Sequence, residues 1–258
     1  MSKVWTTQTS SLWNRVPEVA LIFWVIKVLS TTVGETGADY LAVHVGLGSS
    51  LTMACMGAFL VAALVLQLQA RRYVPWIYWL TVVLVSIVGT QVTDLLTDKL
   101  GVGLYASTTA FALLLASMFA FWFAVERTLS IRTIVTTRRE LFYWSAVFLT
   151  FALGTAAGDL ATEALGLGFR VGVFVFVALI AAVALFHRLG GNAVLAFWLA
   201  YILTRPLGAS LGDLLSQSRD YGGVGLGTIY TSLAFLTVIV ALVAWVSLDG
   251  YRREATAG

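Results

Sequence analysis

Charge is scarce in this chain: Asp, Glu, Lys and Arg make up 11% of its 258 residues, against 59% hydrophobic residues. With a mean hydropathy of +0.90, so few charges cannot clothe a water-soluble surface, and a soluble fold is excluded. The single cysteine, Cys55, lies in an apolar run, which rules out an internal disulfide and a thiolate metal cluster. Histidine is nearly absent: His44 reads as lining an external turn and His187 as a boundary residue beside Arg188, so no paired-His metal motif exists. There is no Ser/His/Asp order and no Gly-rich nucleotide loop after a strand, which leaves an enzyme as the weakest reading and implies no cofactor. Met1 to Val16 carry Lys3 and Arg15 without the apolar core and cleavage site of a signal peptide, so no processing is expected.

What the chain does have is length in apolar runs. They fall at 18–43, 49–70, 75–98, 104–126, 141–165, 169–187, 192–216 and 228–248. About 20 helical residues cross a bilayer core, so the expectation is an all-α polytopic membrane protein with eight transmembrane helices in one domain. The odd-numbered runs carry acids toward their C-terminal ends; the even-numbered ones are almost free of charge.

Cations set the orientation. Lys3, Arg15, Arg71, Arg72, Arg127, Arg132, Arg138, Arg139, Arg188, Arg252 and Arg253 lie at the termini or in alternate loops. That places both termini in the cytoplasm. The opposite loops hold only Lys99, Arg170 and Arg219 and are rich in glycine, as at Gly46-Leu47-Gly48, Gly101-Val102-Gly103 and Gly166-Leu167-Gly168. Trp13, Trp76, Tyr78, Trp79, Tyr143 and Trp144 sit near the inner boundaries and read as interfacial anchors. The basic loops reflect topology and contact with the lipid bilayer, not nucleic-acid binding.

The ends of the odd-numbered runs can be laid over one another. Each contains Gly-x4-Asp, as Gly34 to Asp39, Gly89 to Asp94, Gly154 to Asp159 and Gly208 to Asp213. In the first three copies a Gly-x-Gly turn begins seven residues after the Asp, whereas the fourth has a polar insertion, Ser216 to Tyr221. Two nested duplications of a helical hairpin account for this, giving repeats near 17–70, 75–127, 140–188 and 192–249. A hairpin starts and ends on one side, so the repeats are parallel and pseudo-symmetric, with their acids at similar depth.

Further oxygen-bearing side chains recur at helical spacing. Glu35 precedes Asp39 by four residues, as Asp94 precedes Asp98 and Asp159 precedes Glu163. Thr90 and Thr155 stand where the first copy has Glu35, and the fourth has Ala209. Carboxylates crowded near helix C-termini repel one another and oppose the helix dipole, so protonation or a positive partner must relieve them. Lys27 and Arg205 are placed to supply part of that relief; Pro206 should kink its span at Arg205 and free carbonyl groups. Seven acids against two cations favour a cation ligand.

Phe23-Trp24-Val25-Ile26-Lys27, Gly34-Glu35 with Asp39-Tyr40, Arg72-Tyr73-Val74-Pro75-Trp76, Gly154-Thr155 with Gly158-Asp159-Leu160, and Thr204-Arg205-Pro206-Leu207-Gly208-Ala209-Ser210 resemble a bacterial family of uncharacterised multi-pass, membrane-anchored inner-membrane proteins. The resemblance covers nearly the whole chain and implies topology without a substrate. A looser likeness is to small cation exchangers with duplicated hairpins and a Glu-x-Gly-Asp signature, from which Glu35-Thr36-Gly37-Ala38-Asp39 departs by one residue.

The function expected from these features is a transporter for a small cation, such as Mn2+ or Ca2+, exchanged for protons. Asp39, Asp94, Asp159 and Asp213 would form the site with Glu35, all five serving as metal ligands, with Asp98 and Glu163 adjoining and Lys27, Arg205, Thr90 and Thr155 in support. The alternatives are a sensor or scaffold whose acids only fasten helices, and a cation channel.

Overall fold

The structure, a computed structural model, describes residues 14–44 and 49–257. Lys3, Trp13, the Gly46 to Gly48 turn and the side chains of His44, Arg252 and Arg253 lie outside what is described. Eight helices long and apolar enough to cross a membrane follow one another: α1 Leu21–His44, α2 Ser49–Gln69, α3 Pro75–Asp94, α4 Leu104–Glu126, α5 Thr137–Asp159, α6 Gly168–Arg188, α7 Ala193–Ser216 and α8 Thr228–Ala257. No strand occurs among the described residues. Helices satisfy every backbone polar group within one segment, which is what a hydrocarbon solvent demands.

Local chemistry sets the helix ends. Pro75 opens α3, the Thr136 side chain accepts from the Arg139 amide at the start of α5, and Asn192 accepts from the Val194 and Leu195 amides at the start of α7. At the far ends of α3 and α5 the backbone continues through a π-helical segment, Leu95–Lys99 and Leu160–Ala164. Each segment is then stopped by a left-handed glycine, Gly101 at φ 65° and Gly166 at φ 68°. No break accompanies the expected kink at Arg205: α7 runs as one helix through Pro206.

Two classes of helix emerge. The spans containing α1, α3, α5 and α7 are 50–61% buried, and those containing α2, α4, α6 and α8 only 11–22%. The first four close a ring in the order α1, α3, α5, α7 and back to α1. The second four coat it with Leu, Val, Ala and Phe, as lipid-facing helices do. The hairpin in sequence is not a hairpin in packing: α2 packs on α3, α4 on α5, α6 on α7 and α8 on α1, and none packs mainly on its own partner. Each repeat therefore completes the next, and the fourth completes the first.

Near the termini the ring is clamped by polar contacts. Glu140, fully buried, accepts from Arg15 Nη1 at 2.7 Å and from Gln67 Nε2 at 2.9 Å. The Arg15 amide also donates to the Ile134 carbonyl at 3.0 Å, so the segment before α1 is tied to the α4–α5 connection.

Candidate functional site

The repeat glycines explain how four helices come so close. A Cβ on Gly34 would collide with Ser86, one on Gly89 would lie 3.1 Å from the Phe151 Cβ, one on Gly154 2.5 Å from the Arg205 Cβ, and one on Gly208 would collide with Thr31. Ser86, Phe151, Arg205 and Thr31 all occupy the position three residues before the glycine in their own repeats. One contact is thus repeated four times around the ring, and it is steric.

Above this tier lies Arg205, fully buried on the ring interior. Its Nη2 donates to Glu35 Oε2 at 2.7 Å, to Thr155 Oγ1 at 2.9 Å and to Thr90 Oγ1. Its Nε reaches Thr155 Oγ1 at 3.1 Å and its Nη1 the Thr31 carbonyl at 2.8 Å. The three residues that the repeats make equivalent, Glu35, Thr90 and Thr155, therefore converge on one guanidinium. The fourth helix presents Ala209 there and supplies the arginine from one turn earlier. A planar fork of donors suits such a convergence.

Lys27 lies deeper and pairs with no acid among the described residues. Its Nζ donates to Thr204 Oγ1 at 3.4 Å and sits 4.0 Å from the Phe151 ring centroid and 4.1 Å from that of Tyr201. The aromatic faces stand in for a counter-ion.

Beyond Lys27, toward the termini, the ring is plugged by aromatics. Phe23-Trp24, Tyr78-Trp79, Tyr143-Trp144 and Phe197-Trp198 each begin eleven residues before the repeat glycine. Centroid distances of 5.5 Å from Phe23 to Trp79, 6.5 Å from Tyr78 to Tyr143, 6.1 Å from Tyr143 to Trp198 and 6.2 Å from Phe197 to Phe23 complete the circuit. The Tyr78 and Tyr143 hydroxyls lie 2.5 Å apart. This overturns the expectation of interfacial anchors for Tyr78, Trp79, Tyr143 and Trp144, which are at most 4% exposed; only Trp76, at 54%, faces outward. The signal that could have found them was the aromatic-Trp pair itself, repeated in register with Gly-x4-Asp.

At the opposite end are the acids. Asp39, Asp94, Asp159 and Asp213 are each half-buried. Asp94 lies within electrostatic range of Asp39, Asp159 of Asp94, and Asp213 of both Asp39 and Asp159, so the four follow the ring order. None of the four carboxylates has a hydrogen bond or ion pair among the described residues. Asp98 and Glu163 are exposed, farther out in the π-helical segments, and Thr97 donates to Asp98 at 3.1 Å. Each of these segments starts at the residue after a repeat Asp, a kind of helix defect common at functional sites.

Among the described residues no three His, Cys, Asp or Glu side chains are grouped closely enough to hold a metal ion by themselves. The reason is geometric: parallel helices put one acid on each wall of the ring, and Glu35 turns toward Arg205. Lys27 likewise does not relieve the aspartates, since the Arg205–Glu35 pair lies between them. His187 is exposed in the last turn of α6, where a helix terminus favours positive charge.

No curated protein and no solved structure matches the chain. The profile of one family does, four times in succession, at residues 22–73, 77–128, 142–190 and 196–251. Those segments each run from an inner helix to the outer helix that follows it, the unit that the ring repeats. The protein belongs to the family described as Repeat of Unknown Function (DUF347).

Proposed function

We propose that the chain is a secondary transporter that takes a small cation at the aspartate tier and exchanges it for protons. The observation that carries this reading is that four equivalent carboxylates, one per repeat, are partly exposed and make no direct hydrogen bond or ion pair among the described residues, with Arg205 only within longer electrostatic range. Carboxylates retained to fasten helices would hold partners. Here fastening falls to the glycine contacts and to Arg205, which speaks against a purely structural tier. Intramembrane acids that line a wet surface can pass between a protonated state and a cation-bound one, and that alternation is the coupling.

Because the four acids stand on separate walls, the cation is held by one or two carboxylates together with its own water. Na+ and hydrated divalent ions suit such a site better than a stripped, chelated metal. The Arg205–Glu35 pair and the aromatic plug seal the ring beyond it. In this reading the distribution of cations turns the seal toward the cytoplasm, with both termini on that side, and the aspartates outward; the bacterial inner membrane is what the family resemblance implies.

The test is flux into proteoliposomes carrying a pH reporter, with Na+, Mg2+, Ca2+ and Mn2+ supplied in turn. One cation is expected to drive proton movement, and the Asp94→Asn/Asp159→Asn double variant to lose it. That same cation should raise the melting temperature of the detergent-solubilised protein by mass action, with no rise in the double variant. Undiminished flux in a folded double variant overturns the proposal. Destabilisation of that variant without any cation effect on the parent favours a scaffold.

A further inference from the structure

The fourth repeat departs from the others by its polar insertion, and that departure builds a cavity. About 720 Å³ in volume, it lies at the aspartate end of the bundle between the start of α6 and the α7–α8 connection. Its wall includes Gly168 and Arg170 from one side and Arg219, Tyr221, Gly222 and Gly223 from the other. Apart from Lys99, these two arginines are the only cations in the loops at this end of the chain. Cations are disfavoured on the outward side of an inner-membrane protein, so two facing one cavity call for a local reason.

Neither guanidinium has a hydrogen bond or ion pair among the described residues, and no carboxylate lines the cavity; Asp220, next to Arg219, is not part of its wall. In a tight glycine-rich turn, Gly222 takes φ 86° after a 3-10 turn over Arg219–Tyr221, and a Cβ on Gly223 would collide with the Gln217 carbonyl. The turn therefore fixes where Arg219 emerges. In the same wall α6 begins without a side-chain cap beside Arg170, at the helix end where the first amides have no intrahelical partner and the dipole is positive. The insertion has no counterpart in the other three copies, so this cavity breaks the ring's symmetry.

We infer that this cavity is a binding site for a phosphate group, gripped by Arg170 from α6 and Arg219 from the α7–α8 connection and met by the uncapped start of α6. Two guanidinium forks match the oxygens of a phosphoryl group. The site is separate from the aspartate tier, and it stands whether or not the chain carries cations. Its source is either free inorganic phosphate or the head group of a phospholipid in the adjoining leaflet.

The experiment uses the full chain in a maltoside detergent, at ionic strength held constant with chloride. Thermal unfolding is followed against inorganic phosphate and, separately, against short-chain phosphatidylglycerol. The parent is expected to gain stability with at least one probe. Arg170→Gln and Arg219→Gln should each weaken the response by about tenfold, as loss of a charge-assisted hydrogen bond does, and the double variant should abolish it. A response to inorganic phosphate identifies a free anion; a response to the lipid alone identifies a head group. Because both side chains are exposed, the double variant should melt with the parent in chloride alone, so loss of response is not loss of fold. The inference is overturned if neither probe shifts the parent, or if the double variant responds as the parent does.

Discussion

Arg205→Gln is expected to destabilise the protein by about 3–5 kcal/mol, the usual cost of breaking a buried ion pair from one side. The variant strands Glu35, which is 7% exposed and takes its 2.7 Å contact from that guanidinium. Thr90 and Thr155 lose their donor and the Thr31 carbonyl its partner, so contacts to three other inner helices go at once. Thermal or denaturant unfolding in detergent reads the effect. Glu35→Gln should cost less, because the arginine keeps its other acceptors. The double variant Glu35→Gln/Arg205→Gln should recover part of the loss, since no buried charge is left alone. A melting temperature for Arg205→Gln within a degree of the parent would mean that the centre is not a fastener.

Gly34→Val is expected to have the next largest effect, about 3 kcal/mol or failure to assemble, because overpacking a well-filled contact costs about 1–3 kcal/mol even where neighbours can shift. Here they cannot. The added Cβ alone meets the Ser86 side chain and comes within 3.0 Å of the Ser86 backbone carbonyl carbon, so two helix axes must separate. Gly208→Val should behave alike, with the Thr32 amide nitrogen 3.0 Å away. Gly57 is the control: it lies on α2 with nothing within 4 Å of a built Cβ, and Gly57→Ala should be neutral or stabilising by up to about 1 kcal/mol through helix propensity. If Gly34 and Gly57 variants melt together, the tight inner ring is wrong.

Much of this architecture is legible before any fold is known. Apolar runs about as long as a bilayer is thick announce eight helices, since a backbone in hydrocarbon has few other options. Gly-x4-Asp at four places gives the repeat, and shared direction follows from each hairpin returning to its starting side. The site was legible only in part. Glu35, Thr90 and Thr155 align in the sequence as one position of the repeat, yet nothing in the spacing says that they face an arginine of the fourth copy. The aromatic-Trp pairs were present in register, but near a membrane boundary an aromatic serves equally as an anchor or as a plug. The cavity beside Arg170 and Arg219 was hidden more deeply, because its two walls are about fifty residues apart.

Composition and periodicity by themselves determined the solvent, the helix count, the repeat and which helices carry polar groups, because each of these depends on a single segment and its surroundings. Tertiary structure alone decided that each outer helix packs on the next repeat, that Arg205 gathers Glu35, Thr90 and Thr155 while Lys27 rests on aromatic rings, and that the aspartates stand on four separate walls of the ring. Those outcomes depend on which faces meet across the ring, and the meeting is set by glycine contacts between helices that no single segment encodes.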